Sequence, residues 1–285
     1  MNYRHAFHAG NHADVLKHVA LLALCDRLVA KPAPCFALDT HAGSGVYALD
    51  AEAARRTGEA DTGIGTLLED PPAEPAIARY LEAVRACRHA HGEHAYPGSP
   101  WLLAHALRDI DRVACCELQP EEAATLKANF AGDRRVAVHA RDGYAAMKAL
   151  LPPVVAGQRF ARGLVLVDPP YEAQGAEFDI ALAALRDGVM RWPQATFVLW
   201  YPIKQRRSLR AFQREAAQLP AKSILVAELL VHPDDSPLRM NGSGLLLLNP
   251  PFGFDATLAP AMDVLAERLG PSAPGARIDW LRAAA

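Results

Sequence analysis

Residues 35–45 read CFALDTHAGSG. A short apolar run ends in an acid, Asp39, and passes directly into a loop carrying Gly43 and Gly45. That order describes a strand whose carboxyl end meets a loop in which glycine lets the backbone approach a ligand closely. The third glycine of the nicotinamide-dinucleotide fingerprint is missing at its proper spacing, so the loop alone is equally a tight turn. Six more apolar runs follow, at 112–117, 135–140, 163–168, 196–201, 223–231 and 244–249. Helix-like stretches such as PWLLAHALRD and EEAATLKANF separate most of them. Continuous apolar strands alternating with helices predict an α/β fold with a mostly parallel, seven-stranded sheet covered on both faces. The last two runs are joined by Pro, Asp and Gly without a helix and are expected to pair antiparallel.

Upstream, Val15, Val19 and Leu22 fall at helical spacing, with Asn11 as N-cap and Asp14 in the favoured acidic first turn. Downstream, the acid that would hold a ribose should lie about 20 residues beyond the glycine loop. Instead Gly45 and Glu117 are 72 positions apart. The excess is helix-like and charged, which predicts a Rossmann-like domain of residues 1–49 and 96–285 interrupted by a small helical subdomain at 50–95. The insertion ends at YPGSPW, where Ser99 is expected to cap a helix that Pro100 begins.

The chain has 285 residues, 51% hydrophobic and 22% charged, which excludes a disordered protein. Its net charge is −2, so any nucleic-acid surface must be a local patch. No apolar run approaches the roughly 18 residues of a membrane span. The opening MNYRHAFHAGNH lacks the apolar core of a signal peptide, giving the expectation of a cytoplasmic chain. Five cysteines without CxxC spacing suit a reducing compartment and argue against zinc or disulfides. His5, His8, His12 and His18 crowd the start but match no zinc pattern, and no metal is expected.

The chemistry is concentrated at strand ends. Glu117 closes RVACCE, in a position suited to ribose hydroxyls, and Asp142 with Gly143 follows the next strand. Each alone is a turn or capping residue, but with Asp39 they lie where ligands bind in open α/β sheets. The most specific signal is LVLVDPPYE, which places Asp168, Pro169, Pro170 and Tyr171 after the fourth strand. The exocyclic amine of adenine is a poor nucleophile because its lone pair is delocalised into the ring. A carboxylate and the fixed carbonyl of Pro169 can hold its two N–H groups and direct the lone pair outward, while an aromatic ring stacks the extruded base. A second loop, Asn249-Pro250-Pro251-Phe252, has the same pattern but follows the seventh strand and reads as structural. The cationic run 204–214 includes Arg206, Arg207 and Arg210; it is either a solvated helix face or a phosphate contact near the catalytic mouth.

The opening YRHAFHAGNHADVLKH, LDTHAGSG, RRTGE, YPGSP, Glu117, the Asp142-Gly143 pair, DPPYE, LWYP and NPPF occur in the order found in the RlmJ family, which the chain strongly resembles from Tyr3 to about Phe252. The loop departs only in reading HAGSG for HAGAG, and the last 30 residues match loosely. The resemblance implies a class I methyltransferase using S-adenosylmethionine to methylate the N6 amine of an adenine in 23S ribosomal RNA, adenine-2030 in the family. It implies cofactor contacts from Lys17, His18, His41, Gly43, Gly45, Ser99, Glu117, Asp142, Gly143 and Asp168. Asp168 would be catalytic and Tyr3 would lie near the substrate; the DPPY turn puts Tyr171 on the base, and the cationic run offers Arg206 and Arg207 to the RNA. The expected partner is 23S rRNA, with no membrane and no metal, and the chain is expected to act as a monomer. A DNA adenine-N6 methyltransferase shares the DPPY chemistry. A nicotinamide oxidoreductase leaves DPPY unexplained, and a non-catalytic RNA-binding protein leaves the strand-end acids unexplained.

Overall fold

Period-two alternation along each strand assigns one set of side chains to each face of a central sheet, and both faces are covered. In the computed structural model, residues 5–171, 174–234, 236–237, 240–270 and 275–283 are described. The strands of the central sheet are β1 (Phe36–Asp39), β2 (Arg112–Glu117), β3 (Val136–Ala140), β4 (Gly163–Val167), β5 (Thr196–Ile203), β6 (Ile224–Leu230), β7 (Gly242–Leu248) and β8 (Gly275–Arg282). They form an eight-stranded sheet in the order β8-β6-β7-β5-β4-β1-β2-β3. The block from β5 through β3 is parallel, while β7 runs antiparallel to both β5 and β6. All seven expected strands are present, and β6 and β7 pair antiparallel as expected.

The eighth strand was not anticipated. Ala276 and Ile278 pack on one core and Leu281 on the other, while Arg277 and Asp279 pair with each other between them. This mixed alternation is typical of an edge strand and is weak as a sequence signal.

Among the described residues, the helices are α1 (His12–Val29), α2 (Glu52–Thr57), α3 (Pro75–His91), α4 (Ser99–Ala106), α5 (Pro120–Asn129), α6 (Gly143–Leu150), α7 (Gln174–Arg191), α8 (Arg210–Ala216) and α9 (Phe254–Leu269), with a single turn at Thr66–Glu69. Ala37, Leu164 and Leu166 face α1, α3, α4 and α9, whereas Phe36, Leu38, Val165 and Val167 face α6, α7 and α8. Asn11 caps α1 as expected, accepting from the amides of Ala13 and Asp14 at 3.0 Å each. The cap of α4 is Gly98, and Ser99 is the first residue of the helix rather than its cap. The 50–95 segment contributes Ile64, Leu67, Ile77, Tyr80, Leu81 and Val84 to the core that surrounds α1. No helix among the described residues is long and apolar enough to cross a membrane.

Sheet polarity also sorts the two Pro-Pro loops. Because β7 is antiparallel, Leu248 pairs with Phe197 near the start of β5, so Asn249 emerges at the end of the sheet opposite Asp168. There its side chain accepts from the Lys222 amide at 2.7 Å and donates to the Pro193 carbonyl at 3.2 Å, and its own carbonyl accepts from the Thr196 hydroxyl at 2.9 Å. Its φ of 52° is a conformation that Asn tolerates better than most residues. Asn249→Ala is therefore expected to cost roughly 1–3 kcal/mol of stability, read as a lower urea midpoint. The activity expected from the family resemblance should be unchanged at a permissive temperature, and a large loss of it at unchanged stability would contradict the assignment.

Candidate active site

The carboxyl ends of β1, β2, β3 and β4 open into one cavity of about 760 Å³. Four loops build it, and each begins where a strand's hydrogen bonding stops. After β1, the chain turns through Thr40 and His41 into Gly43, which adopts φ of 58°. A Cβ on Gly43 would lie 2.0 Å from the Tyr47 hydroxyl, so the close approach requires glycine. After β2, the Glu117 carboxylate accepts from the Gly43 amide at 2.8 Å and from the Gln119 amide at 2.7 Å. It thus ties the glycine loop to the neighbouring strand. After β3, Asp142 caps α6 by accepting from the Ala145 amide at 2.7 Å. Gly143 packs so tightly on the first loop that a Cβ would sit 2.0 Å from the Thr40 carbonyl. After β4 comes Asp168.

Asp168 meets α1 in space. The Lys17 ammonium donates to Asp168 at 2.5 Å and pairs with Asp14 at 2.8 Å. Asp14 accepts in turn from His5 Nε2 at 3.0 Å and from the Gly10 amide at 2.9 Å. Both Lys17 and Asp14 are buried. Burial alone would discharge Lys17, but the two flanking carboxylates outweigh it and hold the ammonium well above the usual lysine range. Burial likewise opposes the Asp14 carboxylate, and the charges of His5 and Lys17 prevail to hold it well below the usual range.

Two histidines on the wall are neutral. Burial lowers His18 to about 3, and its Nδ1 lies 2.9 Å from the Tyr96 hydroxyl, which reaches Tyr80 at 2.8 Å. Its Nε2 is buried and has no hydrogen-bond partner. Burial lowers His41 to about 4. The Thr40 hydroxyl donates to the Leu166 carbonyl at 2.9 Å and sits 2.8 Å from His41 Nδ1. Since that hydroxyl has only one proton, Nδ1 must be the protonated nitrogen and Nε2 a lone-pair acceptor. Beneath the cavity, burial raises Asp39 to about 7, and one of its oxygens has no partner. Ser99, at the start of α4, lies close enough to this carboxyl to oppose part of the rise.

Lys17, His18, His41, Gly43 and Ser99 all line the cavity, as do Glu117, Asp142, Gly143, Asp168 and Pro170. Gly45 stands behind the wall: its carbonyl accepts from the Gly98 amide at 2.8 Å, and a Cβ would meet Leu126 at 2.8 Å. Pro169 and Tyr171 are also outside the lining. The Tyr171 ring packs on Phe178 and Trp200, and its hydroxyl donates to the Trp200 carbonyl at 2.9 Å. Arg206 turns away from the cavity toward β6 and β8, with its guanidinium 3.5 Å from the buried Glu228 and 3.3 Å from the Gly275 carbonyl. Arg207 is exposed and bonded to Gln205. Tyr3 lies outside the described residues.

Residues that the motifs did not single out complete the site. Tyr144 donates to Glu177 at 2.6 Å, and the Tyr144 ring meets His41 edge-on at 5.1 Å. Ser44 donates to Glu122. Asp14 read as a helix-start acid, and its i,i+3 spacing to Lys17 was the only available hint. The wall therefore carries six carboxylates (Glu117, Glu121, Glu122, Asp142, Asp168 and Glu177) against a single lysine. Such a surface suits a ligand bearing positive charge and repels a pyrophosphate. Among the described residues, no cluster of His, Cys, Asp and Glu could hold a metal ion. All five cysteines are free and buried.

Residues 32–282 match the family described as "Ribosomal RNA large subunit methyltransferase D, RlmJ". The chain is 35% identical to the Ribosomal RNA large subunit methyltransferase J of Haemophilus influenzae over 283 residues, covering 99% of both chains. It is 34% identical to the Escherichia coli protein of the same name over 282 residues, again covering 99% of each. A crystal structure of a Legionella pneumophila protein superposes with a TM-score of 0.83 at 30% identity, covering 95% of this chain and 98% of that one.

Proposed function

The chain belongs to the ribosomal RNA large subunit methyltransferase J family, RlmJ, and from that premise we propose that it methylates the N6 amine of an adenine in 23S ribosomal RNA, with S-adenosylmethionine as donor. One observation carries the reading: Asp168, the first residue of a DPPY turn, opens into an acid-lined cavity beside a glycine loop. S-adenosylmethionine supplies a methyl group made electrophilic by a positively charged sulfur. The donor set suits such a cation through its carboxylates and through the acceptor Nε2 of His41. Glu117 would receive ribose hydroxyls, Asp142 and Gly143 would border the adenine ring, and Lys17, Ser99 and Gly43 would bound the rest. The same acids disfavour the pyrophosphate of a nicotinamide cofactor.

Asp168 does its work on the substrate amine. One carboxylate oxygen is held by Lys17, which fixes the rotamer and leaves the other oxygen to accept an N–H of the amine. The Pro169 carbonyl takes the second N–H, so the nitrogen lone pair points toward the donor methyl. Nitrogen becomes acidic only as it gains the methyl, and Asp168 is then the nearest acceptor for the departing proton. Positioning and electrostatics supply the acceleration, since no covalent intermediate is needed. Tyr171, pinned through its hydroxyl, gives the base a rigid ring to stack on. Lys204, Arg207, Arg210 and Arg214, all exposed, are the cations of the 204–214 run left to meet phosphate. The 50–95 segment acts as an insertion within one catalytic domain, and the place of action is the cytoplasm.

The direct test is transfer of labelled methyl to 23S rRNA from a strain lacking the protein, followed by nuclease digestion and mass analysis. N6-methyladenosine is the expected product; a methyl on another atom, or methylation of DNA in preference to rRNA, would overturn the reading. Within it, Glu117→Ala is expected to weaken S-adenosylmethionine binding about 10- to 100-fold, because the ribose loses a charged acceptor worth about 1.5–3 kcal/mol. Calorimetry showing unchanged affinity would remove the ribose role.

A further inference from the structure

Backbone and side-chain bonds join the N-terminal arm to the beginning of the insertion. His8 Nδ1 contacts both carboxylate oxygens of Glu59 at 3.0 Å, and the Asn11 amide donates to the same carboxylate at 2.9 Å. The Thr57 hydroxyl donates to the Phe7 carbonyl at 2.6 Å, and the Ile64 amide donates to the Gly10 carbonyl at 2.8 Å. Gly63 sits against the arm so closely that a Cβ would lie 2.1 Å from the Gly10 carbonyl. Only glycine admits this contact. Glu59 is therefore the side chain on which two arm residues, one before and one within the turn into α1, converge.

That arm leads directly to the catalytic acid. His5 and the Gly10 amide, on either side of His8, both bond the Asp14 carboxylate, and the Asn11 side chain accepts from the Asp14 amide. Asp14 holds Lys17, and Lys17 holds Asp168. His5 itself lines the cavity and packs on Tyr47 at 4.9 Å between ring centroids. An arm seated on the insertion thus delivers two of the bonds that aim Asp14.

We propose that Glu59 is a positioning residue for methyl transfer: by docking residues 5–11 on the insertion it sets the His5–Asp14–Lys17 chain that orients Asp168. The insertion thereby serves the chemistry through the arm, without touching the reacting atoms. The inference rests on the assignment of Asp168 as the acceptor of the substrate amine. Glu59 is half-buried, and its replacement removes the acceptor of the buried Asn11 amide, so each variant is first shown by urea denaturation to remain folded.

The test measures single-turnover methylation at saturating S-adenosylmethionine for Glu59→Ala, His8→Ala and the double variant, together with cofactor affinity by calorimetry and hydrogen exchange of peptides covering 5–14 and 57–64. Glu59→Ala should exchange faster in both peptides, lose about ten-fold in rate and keep cofactor affinity within about two-fold. The double variant should be no slower than Glu59→Ala alone, because that change already removes the His8–Glu59 contact that His8→Ala removes. Rapid exchange with an unchanged rate would overturn the proposal, and so would unchanged exchange with an unchanged rate. Fully additive losses would overturn the coupling of His8 to Glu59. Asp168→Asn, run in parallel, separates the two claims: if it remains active the Asp168 assignment fails, whereas an inactive Asp168→Asn beside a fully active Glu59→Ala refutes only the role of Glu59.

Discussion

Asp168→Ala should abolish methylation while leaving S-adenosylmethionine affinity within a few-fold. The carboxylate opens into the cavity from the end of β4, and its remaining oxygen is the acceptor that aims the amine lone pair. Removing a single preorganised group at such a position costs about 2.7–4 kcal/mol of transition-state stabilisation, or roughly 10²–10³ in rate. The loss should appear in kcat rather than in cofactor binding, because Glu117, Asp142 and the glycine loop are untouched. Single-turnover kinetics beside calorimetry make the distinction. A variant retaining more than about a tenth of the wild-type rate would end the assignment.

The second large effect concerns Lys17. Lys17→Met keeps the side chain's length and removes the cation from between Asp14 and Asp168, whose oxygens lie 2.8 Å and 2.5 Å from the ammonium. Breaking a buried ion pair from one side leaves an uncompensated charge and typically costs 3–5 kcal/mol. Stability by urea denaturation should fall by about that amount, and methylation should fall with it because Asp168 loses its fixed rotamer. The pH dependence follows from the shifts. In the wild type, Lys17 is raised, so its contribution is complete below the ordinary lysine value and is lost only as pH rises through the higher folded value. Asp14 is lowered, so its contribution is complete above about 3.8 and is lost as pH falls through the depressed folded value. Neither Lys17 nor Asp14 therefore changes charge near neutral pH. In the variant, the unpaired carboxylate has a raised folded value, so the deficit should shrink as pH falls toward 5. A variant with unchanged stability at pH 7 would show that the cluster carries no such energy.

Asp39 shows how far a strand-end acid can be read from its position alone. Its place before the glycine loop follows from the sequence, yet its burial, its closeness to Ser99 and its rise to about 7 depend on what packs over it. Ser99 behaves similarly. The YPGSPW segment specifies where α4 begins to within one residue, but Ser99 lies close to Asp39 and the cap falls to Gly98.

What the sequence determined by itself is everything written in contiguous residues. Period-two and helical alternation specify seven strands and the helices between them, because local backbone geometry decides which side chains share a face. The acid-then-glycine order at 39–45, the Asp142-Gly143 pair and the DPPY turn are each complete within a few residues, and the strand before each one sends it to the carboxyl end of the sheet. Tertiary structure decided the contacts between distant residues. Lys17 and Asp168 are 151 positions apart and meet only because α1 packs beside β4's end. Asn249 reads as structural from its place after the seventh strand, but only the antiparallel direction of β7 shows that it lies at the far end of the sheet from Asp168. Arg206 reads as a phosphate contact until the buried Glu228 draws it inward. The edge strand β8 carries too weak a local pattern and exists because β6 offers it an open row of hydrogen bonds. Local patterns record backbone preference, whereas burial and charge pairing depend on which distant groups the completed sheet brings within a few ångströms.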